Sequence, residues 1–172
     1  MSKIFIILFV LLIAGLGIFV FSQTNKPLDK SVIIDKIIVE KSKRRMYVYS
    51  NGILLKTYKI SLGKNKKGAK EFEGDNKTPE GLYIINDKNP NSKFHKNLGI
   101  SYPNEIDIEN AKKIGKKPGG QIKIHGLNNK YSWIGRLHLL INWTAGCIAV
   151  TNKEIDELYN AVPIGTQIEI KK

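Results

Sequence analysis

Apolar and polar positions in this chain change their period several times, and each change marks an element. From Ile4 to Phe21 the run is apolar and glycine without a charge. Gln23–Lys30 then turns polar around Pro27 and reads as a linker. Val32–Glu40 is rich in Ile and Val and predicts a strand, and Met46–Tyr49 a second one. Asn51-Gly52 predicts a tight hairpin, because both residues tolerate positive φ, with Ile53–Leu62 as the return strand. Lys64–Lys77 has no periodicity and is expected to be a mobile surface loop. A Thr78-Pro79-Glu80-Gly81 turn feeds a strand at Leu82–Ile85. Asp87–Asn97 reads as a polar loop with a solvated His95, and Leu98–Pro103 as extended chain.

Beyond Pro103 the period lengthens. Asn104 is placed to cap a short helix through Lys113, ended by Gly115 with lysines in its last turn. Gln121–His125 returns to a strand. Leu127–Trp143 is an irregular connection holding Trp133, Gly135, Arg136 and His138. Thr151 and Glu154 form a capping box, after which Ile155, Leu158, Tyr159 and Val162 recur at helical spacing until Pro163. Gln167–Ile170 is the last strand. At least six strands and two short helices predict a mainly β sandwich-like or barrel-like domain.

Length adds little beyond one domain: 172 residues can bury a core and carry a short leader. The leader changes the picture more. Ile4–Phe21 exceeds the apolar centre of a signal peptide and nears bilayer length. Val20-Phe21-Ser22 is a poor cleavage site, so an uncleaved anchor is expected, with a cleaved signal as the alternative. Lys3 as the single preceding charge favours an inside N-terminus. The expected organisation is residues 1–22 as signal anchor or signal peptide, 23–31 as linker and 32–172 as the domain. This places the protein in the cell envelope or periplasm, anchored to the inner membrane through residues 4–21. The net charge of +13 lies almost wholly on the domain. With export, it argues for an anionic wall or membrane surface and against nucleic acid, for which there is no aromatic-interleaved basic motif. A lysine-rich composition in general is the plainer explanation.

Candidate chemistry gathers at Ile141–Thr151, which holds Cys147, the only cysteine in the chain. A lone cysteine is a small buried apolar residue or a reactive thiol. Gly146 permits a sharp turn before it, and Ile148 and Val150 alternate after it as in a short buried strand. Upstream, Ile122–Gly126 is a strand-like run ending in His125-Gly126. A thiol and an imidazole are the minimal pair for thiolate catalysis, the histidine taking the proton and returning it to a leaving amine. His138 is a rival base. No cluster has metal-ligand spacing, and no cofactor is expected.

His125-Gly126 followed by Thr144-Ala145-Gly146-Cys147-Ile148 resembles the signature of the L,D-transpeptidase catalytic domain (YkuD type). The Trp143–Asn152 variant is similar to a branch of Gram-negative envelopes, and the Thr-Pro-x-Gly turn at Thr78–Gly81 is a second match. The resemblance runs from about Ile33 to Ile170. It implies an L,D-transpeptidase-like β-sandwich with two short helices, preceded here by an N-terminal apolar helix, and the cysteine at the mouth of a cleft. It implies acyl transfer on peptidoglycan stem peptides through a Cys147 thioester. His125 would be the proton donor and acceptor, and main-chain N–H groups at Gly146 and Cys147 the oxyanion donors. Gly126, Arg136, His138 and Thr144 would contact substrate. Ala145 and Ala149 stand where the family usually has polar or charged residues, so carboxylate recognition is expected from the 127–138 segment, Arg136 first. A hydrolase of wall peptides or wall-attached protein would use the same residues. A sortase needs an arginine beyond the cysteine, and Arg44, Arg45 and Arg136 all precede it. A non-catalytic wall-binding module would not need the Cys147–His125 pair.

Overall fold

The computed structural model describes residues 27–172 together with Phe5, Leu8, Phe9 and Leu11. The predicted N-terminal apolar helix, and the anchor or signal reading of Ile4–Phe21, otherwise lie outside the described residues. Among the described residues no helix is long and apolar enough to cross a membrane.

Eight strands form one sheet in the order β3-β2-β1-β8-β4-β5-β6-β7. The first three, β1 (Lys36–Glu40), β2 (Arg45–Ser50) and β3 (Ile53–Lys59), pair antiparallel, and the predicted Asn51-Gly52 turn, where both residues have positive φ, joins β2 to β3. Last in the chain is β8 (Gln167–Lys171), which inserts parallel to β1 and antiparallel to β4 (Gly81–Ser92). Next come β5 (His95–Ile100), β6 (Lys123–His125) and the two-residue β7 (Ile148–Ala149), which runs parallel to β6. Beyond β3, Ser61 bridges Ala149 of β7, its N–H donating at 2.9 Å and its carbonyl accepting at 2.8 Å. The two ends of the strand order therefore meet, and the sheet curls on itself. Ile37, Val39, Met46, Val48, Ile124, Ile148, Ile168 and Ile170 alternate with outward residues and fill the inside.

Both predicted helices are present, α1 at Glu105–Lys113 and α2 at Asn152–Ala161, each opened by a capping box. Ile155, Leu158 and Ala161 are the buried face of α2. Four expectations change. Asp87–Asn97 is not a loop but the far end of the β4–β5 hairpin, where polar side chains are tolerated because the strands project beyond the core. His95 is not simply solvated: its Nε2 lies 2.9 Å from Asp156 Oδ1. Leu127–Trp143 contains a kinked 3₁₀ segment over Asn129–Leu140, with Gly135 at φ 55° as the break.

The Lys64–Lys77 segment is also anchored rather than free. Asp75, almost fully buried, accepts from the N–H groups of Glu71 (2.7 Å), Phe72 (3.2 Å) and Lys77 (3.0 Å) and from Lys70 Nζ (2.9 Å). A single carboxylate thus satisfies donors that would otherwise be buried without partners. The backbone hydrogen bonds cooperate to hold its carboxyl below the usual range against the opposing effect of burial.

Candidate active site

The site is built on the parallel β6–β7 pair. Ile124 opposes Ile148 and His125 opposes Ala149, and the two isoleucines are fully buried. Side chains alternate along a strand, so Lys123 and His125 share the other face of β6. Cys147 immediately precedes β7, and the register carried back one residue sets it opposite Lys123. Cys147, His125, Lys123, Trp143, Thr144 and Ala145 line one surface cavity of about 650 Å³.

Each functional side chain is held by a short local device. His125 Nδ1 lies 2.6 Å from the carbonyl oxygen of Gly126. A carbonyl only accepts, so Nδ1 carries the proton and Nε2 keeps its lone pair. Phe94 packs against the imidazole at 4.6 Å between ring centroids and Trp143 at 5.7 Å. Burial among these rings pushes the His125 pKa down. The Cys147 thiol donates to the carbonyl of Gln121 at 3.5 Å. Burial pushes its pKa up, opposed by the main-chain N–H and the charge of Lys123. Thiol and imidazole thus both rest neutral.

The turn before the cysteine has one solution. Thr144 Oγ1 accepts from Gly146 N at 3.1 Å and donates to the carbonyl of Cys147 at 2.7 Å. Gly146 has φ 136°, and a Cβ there would lie 2.7 Å from the Lys77 carbonyl and 3.1 Å from Ile122 Cδ1. The Asp75 knot that fixes Lys77 therefore also fixes the Cys147 turn.

The predicted site residues divide accordingly. Cys147, His125 and Thr144 meet at the cavity, although Thr144 pins the turn with the hydroxyl that was expected to meet substrate. The Gly146 N–H, expected to face an oxyanion, is occupied by Thr144 Oγ1. Gly126 is needed for packing: a Cβ would come within 2.5 Å of Asn152 Oδ1, which accepts from Leu127 N at 2.7 Å. Arg136 is not among the residues lining the cavity and pairs with Glu154 Oε1 at 3.0 Å. His138 also lies off the cavity. Its Nδ1 accepts from Trp143 Nε1 at 3.2 Å, its Nε2 is buried without a partner, and burial pushes its pKa down to about 4. That nitrogen arrangement suits a packed, neutral imidazole rather than the base. Among the described residues no group of three His, Cys, Asp or Glu side chains could hold a metal.

Sequence reasoning missed Phe94, hidden in an apparent loop, and Lys123. The second was findable: two residues before His125 on a strand means the same face.

Residues 34–170 match the model of the L,D-transpeptidase catalytic domain (YkuD). The chain is 30% identical over 177 residues to "Putative L,D-transpeptidase YafK" of Escherichia coli (strain K12), a Gram-negative bacterium. That match covers 94% of this chain and 64% of YafK, so the chain spans less than two thirds of that relative's length. Among solved structures it resembles Pgp2 of Campylobacter jejuni, described as a helical cell shape determining protein, with TM-score 0.60 and 25% identity over 87% of this chain and 51% of Pgp2. An L,D-transpeptidase from Mycobacterium smegmatis shares the fold, with TM-score 0.54 at 15% identity over 80% of this chain and 58% of that one. Family model, relative and fold agree: the chain belongs to the L,D-transpeptidase catalytic domain (YkuD) family.

Proposed function

We propose that this protein is a cell-envelope cysteine acyltransferase acting on peptidoglycan stem peptides. The observation that carries the reading is the Cys147 thiol and the His125 imidazole lining one cavity, the imidazole locked by Gly126 in the tautomer that leaves Nε2 able to accept a proton. Nε2 takes the thiol proton as Sγ attacks the carbonyl of an L-centre that precedes a D-residue. The Cys147 N–H is the main-chain donor assigned to the oxyanion, since Thr144 occupies that of Gly146. Collapse of the intermediate breaks the C–N bond, His125 returns the proton to the leaving amine, and a thioester remains on Cys147. An amine of a second stem, or water, then attacks the thioester and regenerates the thiol. The first gives transfer and the second trims stems or detaches wall-bound protein. Kinship with Pgp2, described as determining cell shape, supports a wall substrate.

The full chain incubated with muropeptides and followed by mass spectrometry tests this. Loss of a terminal D-residue, with either a cross-linked dimer or a shortened stem, is expected. Unchanged muropeptides would sink the reading. The location proposed is the envelope, with Ile4–Phe21 as membrane anchor. Fractionation should then leave the full-length chain in the membrane with its domain open to external protease. A soluble cytoplasmic product would contradict it, and a shortened periplasmic one would mean cleavage.

A further inference from the structure

One stretch beside the cavity displays apolar side chains that the proposed chemistry does not use. Between residues 131 and 141, Tyr131, Trp133, Leu137, Leu140 and Ile141 are each from 47% to 81% exposed. Single exposed apolar residues are ordinary on a protein surface, but a run of them marks a surface that meets a partner. They do not sit on a loose loop. Arg44 donates to the carbonyls of Leu139 (2.5 Å) and Leu140 (3.0 Å), and Ser61 Oγ donates to that of Ile141 at 2.7 Å. His138 and Leu139 are buried, so the backbone is fixed and the five side chains stand outward. Tyr131, Leu137 and Ile141 line an apolar hollow of about 330 Å³ together with Ile134 and Trp143.

Charge decides the partner. At the Ile141 end, Asn142 joins Arg44, Lys66 and Lys67 in a second hollow, whose one side-chain carboxylate among the described residues, Glu80, is paired with Lys41 at 2.9 Å. At the other end stand Lys130 and Lys93, whose carbonyl accepts from Asn129 N at 3.1 Å. Lys66, Lys67, Lys93 and Lys130 are all exposed. Protein–protein interfaces favour arginine and are depleted in lysine. Aromatic and aliphatic side chains rimmed by lysines are instead the composition of a surface that lies in a bilayer interface, with rings at headgroup level and ammonium groups among anionic lipid heads.

We propose that the 131–141 face docks the folded domain on an anionic bilayer surface, with Trp133, Leu137, Leu140 and Ile141 entering the headgroup region. This contact is separate from the apolar run at residues 4–21 and does not depend on the acyl-transfer reading. Trp143 lines both the apolar hollow and the cavity of Cys147, so docking sets the mouth of that cavity beside the membrane.

The test uses the full-length chain reconstituted in vesicles of phosphatidylcholine alone, or of equal parts phosphatidylcholine and phosphatidylglycerol, with and without acyl-brominated lipid. Tryptophan emission is read, and subtracting the signal of Trp133→Phe isolates Trp133 from Trp143, the only other tryptophan. In anionic vesicles the Trp133 emission should shift to the blue and be quenched by the brominated chains. In phosphatidylcholine it should keep its solvent-exposed position, even where residues 4–21 hold the chain to the vesicle. Lys66→Glu combined with Lys67→Glu should remove most of the shift. So should salt at about 1 M, where the Debye length is about 3 Å. Circular dichroism holds the variants to matched folding. An unshifted Trp133 in anionic vesicles overturns the proposal, and so does a shift of the same size in phosphatidylcholine. A shift produced in detergent by soluble polyglutamate makes the partner an acidic peptide, and one that grows in detergent with protein concentration makes it a second copy; either result overturns the membrane assignment.

Discussion

Nδ1 of His125 donates to the carbonyl oxygen of the next residue, Gly126, at 2.6 Å. That bond decides which imidazole nitrogen can accept a proton, and it makes the histidine's role testable. His125→Ala should cost about 10²–10⁴-fold in turnover, the range typical of general acid–base catalysis. Cys147→Ser should fold normally, lose turnover and form no thioester. His138→Ala should fall much less, since its nitrogens serve Trp143 and the interior. Circular dichroism sets the variants at matched folding. A dead His138→Ala beside an active His125→Ala would reverse the assignment.

Burial raises the thiol and lowers the imidazole, so the resting pair is neutral at pH 7. A thiol with a raised pKa stays protonated to higher pH. The rate of alkylation of Cys147 by iodoacetamide should therefore climb through the alkaline range, with a midpoint above the ordinary thiol value. A rate already at its plateau near pH 6 would mean a resting thiolate–imidazolium pair instead.

His138 has a folded pKa of about 4 against an ordinary value of 6.5. The unfolded chain therefore binds the proton first as pH falls. The stability this group contributes is complete above pH 6.5 and is lost as pH drops from there towards 4. Thermal melts should show Tm beginning to fall near pH 6.5, before most carboxylates titrate. His138→Leu should flatten the slope, and an unchanged slope would place the effect elsewhere.

Gly146→Ala should be the most damaging glycine substitution in the site. Its φ of 136° is strained for an L-residue, and the Lys77 carbonyl it would strike is fixed by Asp75. A loss of about 1–3 kcal/mol is expected from the backbone alone, with turnover lost as the cysteine turn shifts. Gly115→Ala is the control: its φ is 67° and nothing lies within 4 Å of the added carbon, so only a left-handed cost of roughly 1–2 kcal/mol applies. Urea melts compare the two, and equal losses would mean the Lys77 contact relaxes.

Arg136→Ala should leave KM for stem peptides unchanged and lower stability by about 1 kcal/mol or less, because the pair with Glu154 is partly exposed. Steady-state kinetics and a thermal melt check both halves. A tenfold rise in KM would bring Arg136 back into substrate recognition.

Much of this protein was written in short-range signals. The Asn51-Gly52 hairpin, the strands flanking it, the capping boxes at Asn104 and Thr151, and the Ile148–Val150 alternation each depend on residues a few positions apart, which is the range over which propensity and turn chemistry act. The pairing of His125 with Cys147 was legible for a different reason: the types and order of the two motifs are specific. Tertiary structure alone decided what lies around that pair. The Asp87–Asn97 stretch is too polar to announce a hairpin, yet it becomes one because β4 and β5 extend each other's ladder beyond the core. Lys64–Lys77 has no period, yet Asp75 ties it down through donors that face a common carboxylate only once the chain has turned. Arg136 and Lys123 are both cations close in sequence to the motifs. Which of them reaches the cavity depends on α2 presenting Glu154 to the first and on the β6–β7 register setting the second opposite Cys147. Those are contacts between distant segments; the local period gives only that Lys123 shares a face of β6 with His125.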